Sequence, residues 1–366
     1  MKPLKTERAY DVAKKERTPM PKGYWTIWTT VALDLVGFGI VAPILGRYAE
    51  RFGASGLQVG LMFASFSVAQ MFFAPILGRI SDKVGRKPVI VFSLIGTAVG
   101  SFITGAAGAL WVLFLGRLID GASGASIAVA QGAVADIAPP DQRARLMGLL
   151  GAAFGVGFVV GPALGGLAAL GGPHVPFYVA GTIAAINAVA AIIRLPETKP
   201  DTSHITEKSE RGKPLSPALQ RFALVGFLSM LGFAGFEATF SLWGEKQFGF
   251  TEGSASLVFV FVGITLVGVQ GGLIGPLTLR LGSRKMLRLG LSLVAVGLLL
   301  LSVASTWAVM FIALFLLSVG QGVSAPSGSA LVAELAPVDR RGEALGYQQS
   351  TAAFGRVAGP VLAGAL

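Results

Sequence analysis

Residues 78–87 read GRISDKVGRK, a charged decapeptide with two glycines that lies between two long apolar runs. The runs, Leu57–Leu77 and Pro88–Ala107, are each near the roughly 20 apolar residues that an α-helix needs to cross a bilayer. Because glycine tolerates backbone angles that other residues resist, the decapeptide is predicted to form a tight hairpin between two membrane helices. Its four cations predict a cytoplasmic position, since cytoplasmic loops retain positive charge.

The composition of the whole chain is that of a membrane protein. Of its 366 residues, 53% are hydrophobic and only 13% are charged, whereas about a quarter of the residues of soluble domains are charged. The net charge of +11 does not indicate a nucleic-acid partner, because the cations lie in short loops between apolar runs. The chain has no cysteine, which excludes disulfides, thiolate metal ligands and cysteine nucleophiles.

A basic tail, residues 1–22, precedes the first apolar span and lacks the apolar core of a signal peptide, so it is predicted to be cytoplasmic. With the tail inside, the loops that become cytoplasmic carry most of the cations, as the positive-inside rule requires. The sequence thus predicts a multi-pass membrane protein with its N-terminus on the cytoplasmic side. Eleven spans are predicted, at residues 24–46, 57–77, 88–107, 110–135, 146–170, 175–194, 221–243, 255–277, 286–304, 308–333 and 344–366.

The two halves of the chain resemble each other. ADIAPPDQR at residues 135–143 returns as AELAPVDRR at residues 333–341, and a Gly-Pro pair follows both copies at the same offset. The repeat predicts three parts after the tail: an N-terminal bundle, a polar cytoplasmic linker and a C-terminal bundle. Their predicted bounds are 23–195, 196–220 and 221–366. Parallel repeats of this kind place a substrate site between the halves, near the bilayer midplane.

The decapeptide resembles the loop between helices two and three of the major facilitator superfamily. Three further stretches resemble its drug:proton antiporter branch, which includes tetracycline exporters: LDLVGFGIVAP at 33–43, LGRLIDGASGA at 115–125 and GAAFGVGFVVGPALGG at 151–166. The resemblance implies an all-α polytopic fold of two six-helix halves with pseudo-twofold symmetry. Because complete members have twelve helices, the C-terminal bundle of about five helices is expected to be truncated and to lack the twelfth.

Two of these stretches place charges within predicted spans. A bare carboxylate such as Asp34 costs roughly 2.5–3.5 kcal/mol in a membrane helix, so Asp34 is a candidate proton-coupling residue. Packing against backbone or hydroxyl groups is the alternative role. Arg117 matches the arginine that the family resemblance implicates in proton transfer, and as a permanent cation it needs a cavity or a carboxylate. Asp120 lies one helical turn further on, and it either takes part in coupling or only neutralises Arg117. Asp34 is the candidate partner of Arg117 on another helix.

The glycines of the fifth span and the decapeptide carry two structural predictions. Gly157, Gly161 and Gly165 share one helix face and form a groove for a close neighbour, while Pro162 kinks the helix. With Gly166 they resemble the motif of antiporters. In the decapeptide, Asp82 is predicted to cap the eleventh helix, whose dipole favours an anion, and Arg86 to pair with Asp136. We call the set Gly78, Asp82, Gly85, Arg86, Lys87 and Asp136 the latch. It is predicted to hold the outward-facing state, unless its charges serve topology alone.

The substrate site is predicted from polar residues in the remaining spans. Glu237 in the seventh span is a candidate to bind a cationic drug or assist proton release, with a pore-lining role as the alternative. The other candidates are Gln131, Gln270, Gln321 and Phe236, although an aromatic at helical spacing is more often a core residue. Both histidines, His174 and His204, fall in loops, whereas tetracycline exporters usually have a functional histidine in helix eight. Another drug specificity is therefore expected.

The combined reading is a monomeric exporter of lipophilic drugs or related small molecules in exchange for protons. No P-loop, metal-ligand cluster or nucleophile–base pair indicates an enzyme or a cofactor, so an ion gradient is expected to drive transport. The resemblance to drug:proton antiporters implies that this is the proton gradient. Two alternatives stay open: a uniporter or symporter for a metabolite such as a sugar, amino acid or siderophore, and a non-transporting membrane sensor or assembly protein on the same scaffold.

Overall fold

The computed structural model describes residues 20–199, 214–249 and 252–365, and in these ranges the secondary structure is helical throughout. The helices of these ranges form eleven rods, numbered α1–α11, of which α4 and α8 are interrupted. Their bounds are α1 Tyr24–Glu50, α2 Gly56–Val84, α3 Arg86–Gly105, α4 Leu110–Ser123 with Ser126–Ile137, α5 Arg143–Ala169, α6 Val175–Arg194, α7 Pro217–Phe248, α8 Glu252–Gly268 with a π-helical turn Val269–Leu273 and Ile274–Leu281, α9 Ser283–Ser302, α10 Trp307–Leu335 and α11 Arg341–Ala365.

Ten of these rods are long and apolar enough to cross a membrane. The remaining one, α11, is 25 residues long and is less hydrophobic on average than the others. Its position explains this composition, because α11 packs against α2 and α7 and places much of its surface against protein. Eleven spans were predicted from the sequence. All eleven helices are present in the described residues, and α11 is the one that is not apolar enough to count as a membrane span by composition.

Two differences from the predicted spans affect the description of the helices. Residues 124 and 125 interrupt α4 within the fourth predicted span. α7 begins at Pro217, inside the segment predicted as linker, because proline suits the first helical turn and the hydroxyl of Ser216 accepts a hydrogen bond from the backbone N–H of Leu219. Most of the predicted tail and linker lies outside the described residues, so the proposed domain bounds stay predictions.

Glycine forms the turn between α2 and α3. Gly85 has a φ of 115°, which a residue with a side chain rarely adopts, and this lets α3 begin directly after α2 ends. Gly282, with a φ of 76°, joins α8 to α9 in the same way. The internal repeat therefore extends from the sequence to the two hairpins.

The helices pack as two groups that meet along a seam. In the first group α1 packs on α5 and α6, and α3 packs on α4 and α6. In the second group α9 packs on α10 and α7 packs on α11. Contacts between the groups are made mainly by α2 with α11 and by α5 with α8 and α10. The candidate functional residues are described by their position relative to this seam.

Candidate functional site

Asp82 of α2 lies at the N-terminus of α11, where it joins the two groups of helices. Its carboxylate is buried and accepts hydrogen bonds from the backbone N–H of Gly342 at 2.8 Å and of Glu343 at 2.7 Å. The first N–H groups of a helix have no partner within the helix, and the helix dipole favours an anion beside them. The contact expected from the sequence is present.

Arg86 connects Asp82 to a second carboxylate. Its guanidinium is 1% exposed and lies 2.6 Å from Asp82 through Nη1 and 2.9 Å from Asp136 through Nε. On its other side Asp136 pairs with Nη1 of Arg341 at 3.0 Å. Asp136 therefore holds one arginine from each group of helices. The pairing of Arg86 with Asp136 was expected, whereas the role of Arg341 was not, because the repeat showed its position but not its partner.

Glu343 adds a further bridge at the same end of the bundle, which we call the latch end. Its two carboxylate oxygens accept hydrogen bonds from Nη2 of Arg79 at 2.8 Å and Nε of Arg340 at 2.8 Å. Burial alone would raise the pKa of Glu343, but these two hydrogen bonds and the two positive charges outweigh it and hold the pKa below its ordinary value. Arg79 reaches Glu343 from α2, so this ion pair also joins the two groups.

The glycines of the latch allow backbone contact. A Cβ on Gly78 would overlap the carbonyl of Gly342, so α2 and α11 can meet here only without side chains. Gly85 packs against the carboxylate of Glu197, which accepts hydrogen bonds from the backbone N–H of Arg86 at 2.8 Å and of Lys87 at 3.2 Å. Glu197 was not predicted. Gly85, the residue before α3, has no side chain that could cap the helix, and the carboxylate of Glu197 accepts hydrogen bonds from the free N–H groups in its place.

Asp34 lies in the middle of α1, opposite the interruption of α4. The hydroxyl of Ser126 donates a hydrogen bond of 2.6 Å to its Oδ2, and Asp34 is half-buried. Asp120 lies within electrostatic range of Asp34. The alternative weighed from the sequence, an aspartate held by a hydroxyl group, describes this contact. A hydroxyl beside a carboxylate is also compatible with proton exchange, so the contact leaves both roles open.

Arg117 is buried and is paired within its own helix. Its Nη1 lies 2.7 Å from Oδ2 of Asp120, and its guanidinium lies over the ring of Phe66, 4.4 Å from the centroid. Two partners were open for Arg117, Asp120 on its own helix and Asp34 across the helices, and the structure shows the pair with Asp120. Among the described residues an ion pair between Arg117 and Asp34 is absent, because Asp120, one turn away on the same helix, occupies the guanidinium and Ser126 occupies Asp34.

The glycine groove of α5 receives α1. A Cβ on Gly157 would lie 2.6 Å from the carbonyl oxygen of Leu35, and a Cβ on Gly161 would lie 2.6 Å from Cα of Gly39. Gly165 is nearly as close to α1, and Pro162 follows directly after Gly161 within the helix. A Cβ on Gly166 would meet nothing within 4 Å, so this member of the motif is not part of the groove.

The predicted polar substrate residues lie on four different helices. Glu237 of α7 is exposed, Gln131 is half-buried in α4, and Gln321 of α10 accepts a hydrogen bond of 3.2 Å from Ser229. Gln270 lies in the π-helical turn of α8, where its side chain covers Gly151 of α5.

Phe236 does not lie with the polar candidates. It is 7% exposed and packs between Phe233 and Phe240, with ring centroids 6.1 and 5.0 Å away, inside a hydrophobic cluster. Phe236 thus lies in the core position that an aromatic at helical spacing more often takes, and a role in substrate binding stays a prediction.

A polar contact near the middle of the seam was not predicted. Gln70 of α2 accepts a hydrogen bond from Nη2 of Arg356 in α11 and donates one of 2.7 Å to the carbonyl of Gly124. Arg356 lies within electrostatic range of Glu237. Sequence spacing shows that such residues lie inside spans but not which helix face they share, so this grouping had no sequence signal.

Two groups of membrane helices that meet along a polar seam, with ionisable side chains inside the spans, have the architecture of a secondary transporter. The chain belongs to the Major Facilitator Superfamily, whose sequence profile matches residues 27–275 and 222–366. It is therefore a multi-pass membrane protein of a family of transporters, not of enzymes.

The chain is similar to resistance proteins of bacteria and to a solved human transporter. The chain is 34% identical to the tetracycline resistance protein, class G, of Vibrio anguillarum, over 90% of this chain and 86% of that protein. It is 27% identical to multidrug resistance protein 2 of Bacillus subtilis (strain 168), over 92% and 87%. The solved structure of the human organic anion transporter MFSD10 matches with a TM-score of 0.81 and 25% identity, over 93% of this chain and 92% of that one.

A second solved structure, that of the proton:xylose symporter XylE, matches with a TM-score of 0.73 and 16% identity, over 91% of this chain and 86% of that one. At this identity the likeness shows the fold alone. The predicted major facilitator fold is confirmed.

Proposed function

We propose that the protein exports lipophilic drugs or related small molecules across a bacterial cytoplasmic membrane in exchange for protons. The observation that carries the proposal is the carboxylate of Asp34 inside a membrane helix, bonded to Ser126 at the interruption of α4. An acid at such depth is costly and marks a functional site by default. The names of the relatives, tetracycline and multidrug resistance proteins, support this class of substrate.

In this proposal Asp34 binds and releases the coupled proton, and Arg117 with Asp120 sets the electrostatic field in which it does so. The Ser126 hydroxyl can donate to an ionised Asp34 or accept from a protonated one, so the contact survives both states. Substrate and proton then weaken each other's binding by the same factor, as thermodynamic linkage requires.

The latch controls the alternation between the outward-facing and the inward-facing state. Hydrogen bonds and ion pairs between α2, α4 and α11 close the latch end, and we assign this end to the cytoplasmic side, with the N-terminus on that side as well. The structure would then be the outward-facing state. Opening toward the cytoplasm breaks these contacts as the two halves rock about a central site.

Glu237, Gln131, Gln270 and Gln321 are proposed to contact the substrate. They come from four different helices of both halves, and Glu237 is the accessible acid among them. An accessible carboxylate favours a substrate with a positively charged group, whereas the amides suit neutral polar groups.

Uphill transport tests the proposal. The full chain is reconstituted in liposomes with an acidic interior, and the accumulation of tetracycline, ethidium and one organic anion is followed. We expect at least one of these probes to accumulate against its gradient and to leave when a protonophore is added. Asp34→Asn should abolish accumulation, while the matched variant Asp141→Asn, at an exposed acid of the latch end, should retain it. Accumulation of no probe contradicts drug export, and uphill transport by Asp34→Asn contradicts the assigned proton site.

A further inference from the structure

Gln70 connects the two halves of the molecule in the middle of the seam. Its amide is 4% exposed, its Nε2 donates to the carbonyl of Gly124 at 2.7 Å, and its Oε1 accepts from Arg356 of the other half. Gln70 lies twelve positions before Asp82, or about 18 Å along α2 at 1.5 Å per residue, so this contact is separate from the latch. It is a second polar bridge, deep in the membrane.

The two partners fix the orientation of the Gln70 amide. Arginine can only donate hydrogen bonds and a carbonyl oxygen can only accept them, so a rotated amide would place its NH2 group against the guanidinium and its oxygen against the Gly124 carbonyl. Both bonds would then be lost together. Because unpaired buried polar groups are costly, the position of the Arg356 guanidinium determines the orientation of the Gln70 amide, and with it the hydrogen bond to the Gly124 carbonyl.

Gly124 lies at the interruption of α4, between Gln70 and the proposed proton site. The first segment of α4 ends at Ser123 and leaves a carbonyl without an intrahelical donor, which Gln70 satisfies. Two residues further on, Ser126 donates to Asp34. A Cβ on Gly124 would lie 3.2 Å from Nε2 of Gln70, so little free space separates the amide from the backbone. Any shift of the amide reaches the backbone that carries Ser126.

On the other side of the bridge Glu237 lies within electrostatic range of Arg356. The direct hydrogen bond of the guanidinium is to Gln70, which is neutral. Glu237 is exposed, so a ligand can reach it, whereas Gln70 is buried. A positively charged ligand at Glu237 would weaken the attraction of its carboxylate for Arg356, and the hydrogen bond to Gln70 would then dominate the position of the guanidinium.

We propose that Gln70 is a positioning residue that couples a site for a lipophilic amine at Glu237 to the proton site at Asp34, through Arg356 and the interruption of α4. The inference rests on the proposed exchange function and adds its route and substrate class. When an amine occupies Glu237, the guanidinium of Arg356 is drawn toward Gln70, and the amide transmits this change through Gly124 to the Ser126–Asp34 pair. Amine binding thereby favours release of the proton from Asp34.

The affinity for ethidium at mildly acidic and mildly alkaline pH measures this coupling without transport. The purified full chain is titrated with ethidium in detergent, and the ratio of the two dissociation constants is taken. In the wild type we expect weaker binding at the acidic pH, by about fivefold or more. In Gln70→Leu the ratio should fall to near one while binding at alkaline pH stays within a few-fold. Gln70→Glu should behave alike, because it keeps the bond to Arg356 but repels the Gly124 carbonyl.

Asn187→Leu is the matched control. Asn187 is a buried amide that also donates to a backbone carbonyl of a neighbouring helix, that of Thr30 at 2.8 Å, but both residues belong to the first half. This variant should lose thermal stability and keep the wild-type ratio. A wild-type ratio in folded Gln70→Leu or Gln70→Glu overturns the bridge and leaves the exchange function intact. A wild-type chain that does not bind ethidium, or binds it equally at both pH values, overturns the exchange of protons for amines, and the bridge with it.

Discussion

Replacing Asp82 by asparagine changes one atom and weakens the closed latch end. The carboxylate accepts two backbone N–H bonds from α11 and also contacts Arg86 of its own half. The contact with Arg86 is within one half and persists on opening, so it cancels in the comparison. Only the two bonds to α11 are broken when the halves separate at this end.

The cost follows from those two bonds. Asparagine keeps one acceptor oxygen, so Asp82→Asn loses one charge-assisted hydrogen bond of about 1.5–3 kcal/mol and reduces the other to about 1 kcal/mol. The interaction with the helix dipole is lost as well. These contributions add up to about 2–6 kcal/mol, and we use the lower end of the sum, about 2–3 kcal/mol. Since about 1.4 kcal/mol is a factor of ten in an equilibrium constant, the closed state should lose about 30- to 150-fold in population relative to the open state.

Distances between spin labels report this shift. The chain has no cysteine, so cysteines introduced at Val84 and Leu279, which are exposed at the latch end of either half, carry the only labels. We expect a longer distance to become strongly populated in Asp82→Asn. The matched variant Asp141→Asn, an exposed acid at the same end, should keep the wild-type distribution. An unchanged distribution in Asp82→Asn would refute the assignment of the latch as the contact that holds the closed state.

Three further predictions concern packing, a buried ion pair and pH. Gly161→Ala should greatly reduce the amount of folded protein, because its Cβ would overlap the backbone of α1. Gly166→Ala should be near neutral, because a Cβ there meets nothing, and gel filtration in detergent compares the two variants. Asp120→Asn should cost about 3–5 kcal/mol by leaving Arg117 unpaired, and the double variant Arg117→Gln/Asp120→Asn should melt at a higher temperature than Asp120→Asn alone. The lowered pKa of Glu343 means that its ion pairs stabilise fully above the ordinary glutamate value of about 4.3 and are lost as the pH falls below it. The difference in melting temperature between wild type and Glu343→Gln should therefore disappear only in strongly acidic buffer.

Most of the geometry of the latch was predictable because all of its residues except Asp136 lie in one short stretch of the chain. The spacing of Asp82, Gly85 and Arg86 in one turn already specifies a hairpin with a carboxylate and a guanidinium on one side. The groove of α5 was predictable for the same reason, since glycines four positions apart share a helix face. The sequence did not identify α1 as the helix that fills the groove, because many helices with small residues fit it.

The partners inside the membrane were less predictable. The hydropathy of a span indicates that Asp34 lies inside a membrane helix but not which neighbour it faces. The sequence therefore left a hydroxyl group and Arg117 both open as partners and did not identify Ser126. The interruption of α4 adds to this difficulty, because it turns the residues after Gly124 relative to those before it. The bond between Gln70 and Arg356 joins residues from opposite halves, and nothing in local spacing specifies it.

Proton release on drug binding tests the central claim, exchange at Asp34, most directly. The purified full chain in weakly buffered detergent solution receives a saturating amount of whichever probe it transports, and a pH-sensitive dye records the protons released per molecule of protein. We expect proton release from the wild type and from Asp141→Asn. Asp34→Asn should release no protons although the probe still binds. Equal release by Asp34→Asn, or probe binding to the wild type without any release, would contradict exchange at Asp34.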